Sequence, residues 1–163
     1  MARTRFNGHL PLLRLERYAE ARRLLLDCRA VFEAERYIEG LGVVWGALAD
    51  LAGTTGDRAD AVRFEEIAIG YSYQLGQPED CAISHNNLSL YFEPSGKDTA
   101  SILAHRLAAT TMGLQMQSGQ FRTLYLKNLA LTELPAAPPS FDSVADTVEQ
   151  IDGVRFRALF RRL

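Results

Sequence analysis

The side chains best equipped for chemistry crowd into one short stretch. Ser84 to Phe92 reads SHNNLSLYF, with His85, Asn86 and Asn87 in succession inside an otherwise apolar, helix-like run. Asparagine is a mediocre helix former because its amide competes for nearby backbone groups. Adjacent amides on such a helix therefore either satisfy groups inside the fold or face a partner. His85 poses a second question. His105 follows later in the chain and Cys81 lies one helical turn before, and two imidazoles with a thiolate would make the three protein ligands of a catalytic zinc. No carboxylate completes a familiar motif around them, so a hydrogen-bonded histidine pair near the core is the simpler expectation.

Other catalytic signatures are absent from the sequence. There is no G-x-x-x-x-G-K-[ST], no G-x-S-x-G and no H-E-x-x-H. The glycine-bearing GTTGDRAD has no strand before it and falls in a turn between helices, which argues against a phosphate loop. Cys28 and Cys81 match no metal or redox spacing. FEE (Phe64 to Glu66) and EAER (Glu33 to Arg36) read as charges on solvated helix faces. The expectation is a protein that is not an enzyme and needs no cofactor.

The chain has 163 residues, 47% of them hydrophobic, enough for a sizeable core in one domain. A net charge of −2 argues against a general phosphate-backbone binder. No apolar run approaches the length of a membrane span, and MARTRFNGHL lacks the apolar stretch of a signal peptide. A reduced, cytoplasmic protein is expected, with no nucleic-acid or membrane partner; its Ala, Leu and Arg content is compatible with a bacterial source.

The elements that must position SHNNLSLYF emerge from an internal period. Ala21, Ala61 and Ser101 recur at a step of 40 residues, as do Cys28, Ala68 and Ala108. Gly56 and Gly96 form another column, Trp45 and His85 a fourth. Leu48, Leu88 and Leu129 step by 40 and then 41, beside the small column Ala49, Ser89, Ala130. Small residues at matching places let two antiparallel helices approach closely while larger apolar residues fill the space between them. A glycine at the end of the first helix supplies the left-handed cap that turns the chain back. The unit is a helix hairpin that needs a stacked neighbour to bury its apolar face.

WGALADLAGTTGDRADAVRFEEIA (Trp45 to Ala68) resembles a tetratricopeptide repeat, supplying Trp45, Leu48, Ala49, Gly56, Ala61 and Ala68 at the family's positions. Trp45 fits the repeat's own apolar column and is expected in the core rather than as a stacking platform. The stretch departs from that pattern at Ala52, where Tyr is usual, and at Glu65, where an aromatic is usual. NNLSLYFEPSGKDTASILAHRLAA is similar to a second unit, with Leu88, Ser89, Phe92, Gly96, Ser101 and Ala108. RYAEARRLLLDC resembles the second helix of an earlier unit, and LYLKNLALTEL the first helix of a later one. The long step resembles the variety found in kinesin light chains and many bacterial repeat proteins. The resemblance implies an all-α, right-handed superhelix of antiparallel hairpins over residues 1–133.

Its first unit is degenerate. Gly8 and His9 replace a leucine and a small residue, and Pro11 stands where the first helix should continue. A short or kinked opening helix is expected before a sound second helix near Glu16 to Glu35. The thin N-terminal end is a candidate for self-association. A proline-rich loop is expected at 134–142. Capping helices are expected at 143–163, where Val144, Val148 and Ile151, then Phe156, Leu159, Phe160 and Leu163, fall at helical spacing.

In this family the first helices line a concave groove that holds a peptide segment of another protein. The resemblance assigns Ala47, Asp50, Asn86, Asn87, Leu90, Lys127, Asn128 and Leu131 to that surface. Asn87 and Asn128 share a column with Asn7, which resembles the asparagine ladder of kinesin-light-chain-type repeats, with Ala47 as a missing rung. Lys127, in the column of Asn86, would meet a ligand carboxylate or simply be solvated. Two other functions stay open: an oligomerisation or regulatory module of a larger assembly, and a metal-dependent enzyme using His85 and His105. The inward amides have an alternative role too, bonding across to a neighbouring helix to hold the curvature.

Overall fold

The computed structural model describes residues 5–93, 99–116 and 119–132, and every regular element among them is a helix. These are α1 (His9–Arg14), α2 (Tyr18–Ala34), α3 (Ile38–Thr55), α4 (Arg58–Leu75), α5 (Pro78–Phe92), α6 (Thr99–Gly113) and α7 (Gly119–Ala130). The all-α class expected from the sequence is found. Helices α2, α4 and α6 begin at residues 18, 58 and 99, and α3, α5 and α7 at 38, 78 and 119. The period read from the residue columns is thus the period of the helices. Gly96, the 134–142 loop and the 143–163 caps lie outside the described residues.

Packing divides the chain into two units, Met1–Leu75 and Gly76–Leu163. In the first, α1 packs on α2, α2 on α3 and α3 on α4; in the second, α5 packs on α6 and α6 on α7.

The turn at Gly56–Asp57 shows how local chemistry sets the hairpin. Gly56 ends α3 at φ 85, a left-handed conformation open to a residue without Cβ. From there the Asp57 N–H donates back to the Ala52 carbonyl at 2.9 Å, closing the end of the helix. The Asp57 carboxylate then accepts from the Asp60 N–H at 3.1 Å and caps the start of α4. One residue stops a helix and the next begins another.

Pro11 sits within the first turn of α1, where backbone N–H groups have no intrahelical acceptor and a missing one costs little. Helix α1 itself is six residues long.

The repeat columns are the interior. Ala21, Leu48, Ala49, Ala61 and Ala68 are buried in the first unit, and Leu88, Ser89 and Ala108 in the second. The third members of three columns differ: Ser101 and Leu129 are half-buried and Ala130 is exposed, the latter two because among the described residues α6 is the one helix packed substantially on α7.

Two positions correct the sequence reading. Glu65 is 2% exposed, not on a solvated face. It lies four residues after Ala61 and three before Ala68, so it shares their inward stripe. Trp45, expected in the core, is half-buried. Its ring lies 5.2 Å from that of Phe64, and the Arg29 guanidinium stands over it at 5.1 Å.

Tyr125 is the single buried residue of α7, and its ring rests on Gly113 so closely that any Cβ there would collide with it. The hydroxyl is buried without a hydrogen-bond partner, and burial, with the Glu79 charge adding, pushes the phenol up to about 12. An unsatisfied buried hydroxyl costs about 1–3 kcal/mol. Tyr125→Phe is therefore expected to leave stability unchanged or raise it by about 1 kcal/mol in urea denaturation. A clear loss would mean that the hydroxyl has a partner in solution.

Candidate functional site

Helix α5 begins with Pro78 at its N-terminus, where the missing N–H is harmless, and carries Glu79 and Asp80 in its first turn, at the positive end of the helix dipole. Its inward stripe is Cys81, His85, Leu88 and Phe92, all buried. Asn86 and Asn87 follow His85 and are turned off that stripe by about 100° per residue.

The histidine pair expected from the sequence is formed. His85 Nδ1 lies 2.7 Å from His105 Nδ1 of α6, and both side chains are fully buried. One Nδ1 carries the hydrogen and the other accepts it. Burial, and then the charge of a protonated His105, holds His85 well below the usual imidazole value. The Phe92 ring packs edge-on against His105 at 5.3 Å between centroids. Cys81 is buried, and among the described residues no group of three or more His, Cys, Asp or Glu is placed to hold a metal.

The amides meet across two helices. Asn128 Nδ2 of α7 donates to Asn86 Oδ1 of α5 at 2.7 Å. Asn86 is buried and Asn128 half-buried. The bond joins Asn128 to the residue before Asn87, its column mate. Asn87 is half-buried on α5, Leu90 is exposed one turn after Asn86, and Lys127 and Leu131 are exposed beside Asn128. Ala47, buried, and Asp50, exposed, belong to α3 of the first unit.

A residue that sequence reasoning missed completes this cluster. Arg106 of α6 is 5% exposed. It donates through Nη1 to Thr132 Oγ1 at 2.7 Å and pairs through Nη2 with Glu93 at the end of α5. The Thr132 hydroxyl in turn donates to the Asn128 carbonyl at 3.0 Å. A polar chain therefore runs from Asn86 through Asn128 and Thr132 to Arg106 and Glu93, tying α5, α6 and α7 together. No sequence signal marked Arg106, since its column mate Glu66 is exposed.

The first unit holds a cavity of about 230 Å³ lined by Leu51, Phe64, Tyr18, Arg22, Thr55 and Asp60. None of the residues assigned from the sequence lines it. The Cys28 thiol is pushed up by burial, away from nucleophilic use.

Comparison with protein-family models, curated proteins and solved structures finds nothing that matches this chain. No helix among the described residues is long and apolar enough to cross a membrane.

Proposed function

We propose that this chain is a non-enzymatic helical-repeat scaffold that binds an extended peptide segment of another protein on the face built by α5 and α7. The observation that carries the reading is the Asn86–Asn128 bond. A carboxamide offers one acceptor oxygen and two donor hydrogens. The bond uses the oxygen of Asn86 and one hydrogen of Asn128, which leaves a donor on the first and an acceptor on the second. That pair suits the C=O and N–H of a strand-like ligand, whatever its sequence. Asn87, Leu90, Lys127 and Leu131 stand beside it to choose side chains.

The reading treats the hairpins as tetratricopeptide-like, of the long kinesin-light-chain-like type, stacked as a right-handed superhelix with α3, α5 and α7 as first helices. In that register Ala47 and Asp50 of α3 are the equivalent positions of the preceding unit. The partner is a protein or peptide in the cytoplasm of a bacterial cell rather than a nucleic acid or a membrane. A second reading, an assembly module, is favoured by the exposed Phe121, Leu124, Leu126 and Leu131 of α7. A metal-dependent enzyme built on His85 and His105 draws no support from two rings that are fully buried and bonded to each other.

The test compares wild type with the Asn86→Ala, Asn128→Ala double variant on an array of extended peptides, after checking that both melt alike. Losing two ligand hydrogen bonds is expected to weaken binding about tenfold or more. If wild type binds no peptide and its solution mass rises with concentration, the assembly reading replaces this one.

A further inference from the structure

Arg106 is buried as arginines seldom are, and its hydrogen bonding is incomplete. Nη1 is occupied by Thr132 and Nη2 by one oxygen of Glu93. Nε is buried with no hydrogen-bond partner. The Nε and Nη2 donors form one edge of the guanidinium fork, the geometry that matches both oxygens of a carboxylate. Half of that edge is therefore unused.

The group occupying the other half is the exposed side of the pair. Glu93 is 48% exposed against 5% for Arg106, so water can replace its protein contacts while the arginine has no such recourse. Glu93 neutralises a buried cation without filling its fork. The guanidinium also stands at one end of the polar chain that begins at the Asn86–Asn128 bond, with the exposed Lys127 adjoining Asn128. A ligand lying along the amides reaches it next.

We propose that Arg106 is a carboxylate-binding site. An Asp or Glu side chain of the bound peptide displaces Glu93 and takes the Nε–Nη2 edge. Glu93 is the internal stand-in for that carboxylate when no ligand is bound. The inference rests on the peptide-binding reading and makes it narrower: the partner segment is acidic at one position, next to the residues that meet the amides.

Two arms of an experiment on the full chain test it. In the first, sodium formate is added to Glu93→Ala, whose truncated side chain leaves room for a small carboxylate. Formate is expected to restore much of the melting temperature that the variant loses, and sodium chloride at equal ionic strength is not. The Glu93→Ala, Arg106→Met double variant should show no such rescue. In the second, three peptide pools differing only in one fixed residue, Glu, Gln or Lys, are titrated against wild type, Glu93→Gln and Arg106→Gln. The Glu pool should bind wild type about tenfold tighter than the Gln pool, as a charge-assisted bidentate pair demands. The preference should grow in Glu93→Gln and vanish in Arg106→Gln. Should Arg106→Gln fold poorly, the formate arm and Glu93→Gln still decide. Equal binding of the Glu and Gln pools overturns the carboxylate site and leaves peptide binding intact. Binding of no pool overturns both, and formate that acts no better than chloride overturns the site by itself.

Discussion

Leu88→Ala is expected to lower the unfolding free energy by about 3 kcal/mol, and Leu129→Ala by less than about 1 kcal/mol. The two leucines occupy the same column of the repeat, so their sequence contexts make the same demand. Their surroundings differ. Leu88 has no exposed surface, and truncating it removes apolar contact on all sides and leaves a cavity that its neighbours fill only partly. Leu129 is half-buried, so alanine there removes a side chain that water already touches. Leu48, at 2% exposure, belongs with Leu88 and should cost about as much. Urea denaturation of the three variants measures the comparison. Equal losses at Leu88 and Leu129 would show that α7 is packed on both sides in solution.

That contrast also marks how far the fold was legible. The columns Ala21–Ala61 and Leu48–Leu88 gave the helix period because close helix packing tolerates little variation in side-chain volume where backbones approach. Gly56 was legible for a different reason, since the left-handed turn at φ 85 strongly prefers glycine. A column states what a position requires when it is covered and is silent on whether a neighbour covers it, as Leu129 and Ala130 show. At Glu65 position outweighs charge, and the carboxylate is buried. Its place four residues from Ala61 on the buried stripe was the better guide. Trp45 fits the repeat's apolar column, but large aromatic side chains are seldom fully enclosed.

At the candidate site the histidines were legible and the arginine was not. His85 and His105 sit in the columns of Trp45 and Glu65 within one hairpin, so their meeting followed from the register. The column places Asn128 with Asn87 and implies no contact between them; the cross-helix bond is made instead by Asn86, one residue earlier. Along a helix, one residue is a rotation of about 100°, so a single step separates the inner edge of a face from its rim. Arg106 depends on contacts from Glu93 and Thr132 on two other helices, and no local pattern encodes such a meeting.

Acid should weaken the α5–α6 hairpin well before most carboxylates titrate, and His85 is the reason. Its ring is fully buried 2.7 Å from the Nδ1 of His105, and burial, with the neighbouring charge, lowers its proton affinity in the folded state. The unfolded chain regains an ordinary imidazole near pH 6.5. Above that pH neither state protonates His85, and its contribution to stability is complete. As pH falls below about 6.5 the unfolded state takes up a proton that the folded state refuses, so stability declines by at most about 1.4 kcal/mol per pH unit until the folded value is reached. His85→Gln isolates the effect, because its carboxamide oxygen still accepts a hydrogen bond from His105 but cannot take up a proton at these pH values. Denaturation profiles of wild type and His85→Gln, recorded from pH 7.5 to 5, should diverge below about pH 6.5, with the variant the flatter. Parallel profiles would mean that His85 takes up its proton equally well in the folded and the unfolded chain.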